Sequence, residues 1–110
     1  MNIPDVGAKS SIPAEFRLLQ NYPNPFNPET WLPYELASDA NVTIWIYNSG
    51  GGLLRKLSLG MQEAGRYITK DKAAYWDGRN EEGELVASDF YFYAMEAGES
   101  TDLRKMVMVR

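Results

Sequence analysis

Downstream of position 30, hydrophobic and polar residues alternate over most of the chain. The clearest stretch is 41–48, where Val42, Ile44 and Ile46 fall on one face and Thr43, Trp45 and Tyr47 on the other. A period of two is the pattern of a strand with one buried face. Val42, Ile44 and Ile46 are therefore expected inside and Thr43 outside. Similar runs occupy 30–36, 53–59, 66–70, 73–76, 90–96 and 103–109. In the first of these Pro33 cannot donate to a ladder, which marks an edge or a bulge. In 53–59 the alternation is imperfect, with Leu53, Leu57 and Leu59 set against Leu54, Lys56 and Ser58, and this predicts a bulge. In the last run Met106 and Met108 are expected in the core, opposite Lys105, Val107 and Val109, with Arg110 free at a fraying end.

Turn chemistry separates the runs. NSGGG at 48–52 predicts a hairpin, 60–65 a connection, DGRNEEG at 77–83 a polar turn and AGESTD at 97–102 another. The one helical-looking window, 60–64, is too short to nucleate a helix. About seven strands at spacings near ten residues predict an all-β fold, an antiparallel sandwich of the immunoglobulin or fibronectin-III kind.

The first thirty residues follow other rules. Residues 1–15 contain Pro4, Gly7, Ser10, Ser11 and Pro13 without periodicity and read as a flexible linker ahead of a domain at 16–110. They have neither the basic start nor the apolar block of a secretory leader, so the leader of an exported parent would lie upstream. In QNYPNPFNPET, residues 20–30, Pro23, Pro25 and Pro28 exclude helix and push their predecessors toward extended geometry. This stretch is expected to be stiff and pinned to the sandwich by Tyr22 and Phe26. A proline-rich ligand for a partner domain is the other reading of it.

Composition narrows the function. The 110 residues suit a single domain, and 13% aromatic content fits pleated surfaces. Net charge is −4 and the basic residues are scattered, which argues against nucleic acid. There is no histidine and no cysteine. Triads built on histidine, zinc sites and thiol chemistry are thereby removed. No apolar run is long enough for a transmembrane helix. The chain is expected to be no enzyme, to need no cofactor and to be monomeric as an isolated domain.

Several stretches carry a family resemblance. LLQNYPNPFNPET (18–30), VTIWIYNSGGGLLRKL (42–57), AGRY (64–67), YWDGRNEEGELVAS (75–88), DFYFYAMEAGE (89–99) and RKMVMVR (104–110) stand in one order and spacing. Together they resemble the C-terminal sorting domains, type A, of type IX secretion cargo, and the related immunoglobulin-like domain of the flagellar hook-capping protein. The resemblance covers about 16–110. It implies a sandwich at the end of a larger exported protein, read by the secretion translocon, and a secreted or cell-surface location in a Gram-negative-type envelope. It also implies recognition roles for Pro23, Asn24 and Pro25 in the Pro-Asn-Pro element, Tyr91 in the penultimate strand, and Lys105 and Arg110 in the last strand. Where the family usually has glycine, this chain has Asp89.

Other residues offer competing chemistry. Asp77, Asn80, Glu82 and Glu84 could supply oxygen ligands to calcium, although their spacing departs from the helix–loop–helix calcium loop and a solvated turn accounts for them. Trp45 and Tyr47 could form an exposed aromatic patch. A coplanar pair there would favour a carbohydrate-binding module. Three readings follow. The first is a non-catalytic module for secretion and surface attachment. The second is a spacer or assembly scaffold like the hook-cap sandwich. The third is a carbohydrate-binding module.

Overall fold

A computed structural model describes residues 12–110, so most of the expected linker, residues 1–11, lies outside the described residues. Among the described residues there are nine strands and no helix. They are β1 (Arg17–Leu18), β2 (Thr30–Leu32), β3 (Tyr34–Leu36), β4 (Ala40–Tyr47), β5 (Leu53–Gln62), β6 (Gly65–Tyr67), β7 (Ala74–Trp76), β8 (Asp89–Ala97) and β9 (Ser100–Met108). One sheet has the order β5-β4-β8-β9, all antiparallel. The facing layer consists of two ladders, β1-β3-β6 and β2-β7. The result is the expected antiparallel sandwich.

The count exceeds seven by two, because β1 is a short strand ahead of the first expected run and that run is itself divided. The 30–36 run is cut at Pro33, so its two halves pair with different partners, β7 and then β6 and β1. Pro33 has no N–H to continue one ladder. The 60–65 connection is shorter than expected because β5 runs on through Gln62. Its register against β4 slips twice, at Val42/Thr43 and at Ile46/Tyr47. The second slip adds Leu54 to β5 and resets the phase, so Leu54, Leu57 and Leu59 all pack against the core. The 97–102 turn shrinks to Gly98 and Glu99, since Ala97 pairs directly with Ser100.

The face assignments hold where alternation is regular. Val42, Ile44, Ile46, Met106 and Met108 are buried, and join Leu18, Phe26, Leu32, Tyr34, Trp76, Tyr91, Tyr93 and Met95 in one core. Thr43 is half-buried rather than exposed, because Ser58 and Glu96 flank it on the neighbouring strands. Asp89 sits at the start of β8 and no residue other than glycine has positive φ among those described, so aspartate stands there without left-handed backbone strain. Its Oδ1 accepts the N–H of Phe90 at 2.7 Å. Among the described residues no helix is long and apolar enough to cross a membrane.

Candidate interaction surface

The proline-rich segment lies between the two sheets and ties them together. At its start Tyr22 bridges to Trp31 through two main-chain hydrogen bonds of 3.0 and 2.8 Å. Four residues later Phe26 has crossed to the other sheet. Its N–H donates to Val107 at 2.9 Å and its carbonyl accepts from Val109 at 3.0 Å, a parallel bridge on the outer edge of β9. Tyr22 stacks on Trp31, with centroids 6.4 Å apart, and Phe26 is buried 5.7 Å from Trp76. Both aromatics therefore pin the segment as expected.

The Pro-Asn-Pro element is placed by polar contacts. Pro23, Asn24 and Pro25 are all exposed. Asn24 Oδ1 accepts the N–H of Val107 at 2.9 Å, so a side chain stands in for a ladder carbonyl between the Gln20 and Phe26 contacts. The carbonyl of Pro23 accepts from Asn21 Nδ2 at 3.2 Å and from Thr30 Oγ1 at 3.1 Å, and Asn21 Nδ2 also donates to Thr30 Oγ1 at 3.0 Å. Asn21 and Thr30 are buried, and burial is affordable only because these groups satisfy one another. Gln20 Nε2 reaches the carbonyl of Lys105 at 2.9 Å, and Arg104 Nε reaches that of Leu18 at 2.6 Å. Gln20, Asn21 and Thr30 gave no sequence signal. Polar residues beside prolines are ordinary turn composition, and their partners lie far along the chain.

Tyr93 supplies the deepest polar contact. Its hydroxyl accepts the Asn21 N–H at 2.8 Å and donates to the Leu19 carbonyl at 2.7 Å. Burial pushes its ionisation up to about 12 from 10.0, since removal from water disfavours the phenolate; the Asn21 N–H and the charge of Arg104 oppose the shift. Burial, with Tyr67 alongside, also raises that of Tyr34 strongly. For a neutral acid whose folded value is raised, the associated stability is complete below the unfolded value of about 10 and falls as pH rises through about 12. Tyr93→Phe is expected to lose about 1–3 kcal/mol at neutral pH, because it leaves the buried Asn21 N–H without an acceptor. It should also flatten the alkaline decline in stability between about pH 10 and 12. Urea titrations at stepped pH check both; an unchanged midpoint and an unchanged alkaline slope would contradict this role.

The remaining sequence candidates separate. Tyr91 is a core residue. Its ring is buried 6.0 Å from Trp76 and its hydroxyl donates to the Ala87 carbonyl at 2.6 Å, so it packs the interior beneath the end of β8. Arg110 is not free at a fraying end. Its N–H donates to Ser88 Oγ at 3.0 Å and its Nη1 to the Val86 carbonyl at 3.4 Å. Lys105 is exposed, with Nζ 4.8 Å from the Phe90 ring centre. In the 77–83 turn, Asp77 pairs with Arg55 at 3.2 Å and accepts the Arg79 N–H at 3.0 Å. Asn80 Oδ1 accepts from Glu82 and Glu84, and Asn80 Nδ2 donates to Glu84 Oε1 at 3.0 Å. Asp77 is thus tied to β5 through Arg55, while Asn80 closes the turn around Glu82 and Glu84.

Trp45 and Tyr47 do lie on the outer face of the four-stranded sheet, both half-buried. Tyr47 stands opposite Phe92, and Trp45 opposite Lys56 and Ala94. The patch is larger than expected, since Phe90, Phe92, Leu103 and Val107 continue the same face across β8 and β9. It is not a flat platform. Phe90 and Phe92 meet at 89°, and Lys56 Nζ lies 4.9 Å from the Trp45 ring centre. Perpendicular rings and lysine-covered faces suit side-chain contacts better than stacked sugars.

Comparison with known proteins gives fold-level similarity. No family model and no curated protein matches the chain. Among solved structures, dimeric latent PorU from Porphyromonas gingivalis aligns with a TM-score of 0.64 at 20% identity, over 86% of this chain and 9% of that one. PorZ, an essential bacterial surface component of the type-IX secretion system of the same organism, aligns with a TM-score of 0.54 at 22% identity, over 83% of this chain and 11% of that one. The chain thus spans about a tenth of the length of either protein, and shares with them the fold of one small part.

Proposed function

We propose that this chain is a non-catalytic sorting module that directs export and surface attachment of a larger protein through the type IX route. One observation carries the reading. The Pro-Asn-Pro element and the closing strand, more than eighty positions apart, form one continuous surface through the Asn24–Val107 and Phe26–Val107 hydrogen bonds. A receptor contacting that surface meets both elements only when the domain is folded. The fold shared with small parts of PorU and PorZ supports the same reading. On this surface Lys105 supplies an exposed charge, while Arg110 acts at the end of the 86–88 segment that it holds.

The test uses a reporter fused upstream of the chain in a type IX-competent host. Wild type is expected to direct export. Lys105→Gln together with Arg110→Gln is expected to reduce export by about tenfold or more, while stability changes by under about 1 kcal/mol, because Lys105 is exposed and Arg110→Gln keeps the main-chain bond to Ser88 and loses only the long 3.4 Å contact to Val86. A folded wild-type fusion that stays inside the cell would refute the sorting role. Undiminished export of the double variant would refute the residue assignment.

A further inference from the structure

The outer edge of β9 is only half covered. In β9 the N–H and C=O groups of alternate residues point away from β8. Val107 is one such residue, since its N–H goes to Asn24 and its carbonyl to Phe26. By parity Lys105, Leu103 and Thr101 point the same way. The chain's own segment 20–26 occupies this lane from the Lys105 carbonyl onward, through Gln20, Asn24 and Phe26. Upstream of that point the chain leaves for the other sheet, where Arg17 and Leu18 pair with β3. Residues 101–104 therefore face an open cleft lined by Gln20, Asn24, Asp102, Leu103 and Arg104 among others, with the Lys105 carbonyl, held by Gln20, at its end. Leu103 is 56% exposed in it. The stretch has no proline and no bulge against β8, two of the usual devices that blunt an edge. On the opposite edge of the same sheet Glu81 caps the first part of β5 twice, giving its N–H to Leu54 and taking the N–H of Lys56.

We propose that two copies of this chain pair edge to edge through residues 101–105 of β9, antiparallel about Leu103, joining their four-stranded sheets. The register is self-complementary. With Leu103 on the twofold axis, each Leu103 faces the same residue of the second copy, and the two exchange both main-chain hydrogen bonds. Thr101 then stands opposite Lys105 of the second copy. Asp102 stands opposite Arg104 of the second copy in a close, non-hydrogen-bonded pair, and the symmetry repeats that ion pair. The open length matches as well. β9 begins at Ser100, after the Gly98-Glu99 turn, so the incoming strand ends beside Lys105, where the chain's own segment begins to fill the lane. In the lone chain Asp102 Oδ1 accepts the N–H of Leu103 at 2.8 Å. Pairing moves that carboxylate onto the guanidinium of the second copy and frees the N–H for the ladder. A strand edge buries far less area than a permanent dimer, so association is weak and concentration-dependent. This proposal stands in place of the monomer expected from sequence, and it does not depend on the export role.

Sedimentation velocity on the whole chain, up to about 1 mM, a concentration suited to weak dissociation constants, decides it. The mass is expected to rise with concentration from 12.5 kDa toward twice that value. Asp102→Arg and Arg104→Asp alone should each weaken association about tenfold or more, by setting like charges opposite one another. An equimolar mixture of these two variants should recover it, because each supplies the charge that the other lacks. Leu103→Pro removes an N–H that β8 does not use, and should abolish pairing while circular dichroism keeps its β signature. A wild-type chain that stays monomeric overturns the proposal. So does pairing that survives Leu103→Pro, or a mixture of charge variants that fails to associate.

Discussion

Trp76→Ala is expected to lower stability by about 3–5 kcal/mol, the range for truncating a large buried aromatic. Trp76 lies at the end of β7 with no solvent exposure. Its ring meets Phe26 of the proline-rich segment at 5.7 Å and Tyr91 of β8 at 6.0 Å. Truncation would thus open a cavity where both layers and the crossing segment converge. The polar part of the loss is small. Trp76 Nε1 donates to the Arg79 carbonyl at 2.9 Å, but that carbonyl also accepts from Arg55 Nη1 at 3.0 Å and stays satisfied. Most of the cost should therefore be packing, and Trp76→Phe should recover a large share of it. Against the roughly 5–15 kcal/mol that holds a domain together, the alanine variant should be partly unfolded at modest urea concentration. Urea unfolding followed by circular dichroism measures both. A loss under about 1 kcal/mol for alanine would mean that the ring is not the hub described.

Gly78→Ala is the second large effect, at about 2–5 kcal/mol. Two penalties act at this position. Gly78 has φ +79°, in the left-handed region, which costs a side-chain-bearing residue about 1–2 kcal/mol. A Cβ would also lie 2.5 Å from the carbonyl oxygen of Pro28 and 3.3 Å from Leu85 Cδ1. The Pro28 oxygen is backbone and cannot swing aside, so the chain itself must move, at a further cost of about 1–3 kcal/mol. Gly83 supplies the control. It has φ +83° but nothing within 4 Å of an added Cβ, so Gly83→Ala should show the conformational penalty alone. Thermal or urea midpoints of the two variants give the difference. Equal losses would show that the approach to Pro28 is not rigid. Because Gly78 holds the 77–86 turn against the 25–30 segment, Gly78→Ala should also reduce export in the reporter assay.

Much of the architecture could be read along the chain because it is local. Alternation at 41–48 identifies the buried face, and the same rule puts Met106 and Met108 inside. The three glycines after Asn48 mark a hairpin, and the broken phase of 53–59 marks a bulge that the register confirms. Each of these signals sits within a few residues of its effect. The strand count was less legible. Whether Pro33 bends one strand or divides it depends on which neighbours its two halves find, β7 on one side and β1 and β6 on the other.

The sequence by itself determined the all-β class, the inward faces of the long strands, the turn positions and the absence of histidine and cysteine chemistry. Composition and period two depend only on nearest neighbours, so no knowledge of the packed state was required. Tertiary structure decided which of the marked residues meet. It buried Tyr91, tied Arg110 to Val86 and Ser88, joined Asn24 to Val107, and turned Asp77, Asn80, Glu82 and Glu84 upon themselves and their neighbours. It also left residues 101–104 of β9 open while segment 20–26 covered that edge from the Lys105 carbonyl onward. The physical reason is the separation of the partners. A polar group is satisfied by whatever the fold brings beside it, here 83 positions away for Asn24 and 72 for the Asn21 contact with Tyr93, and no local pattern records such a distance.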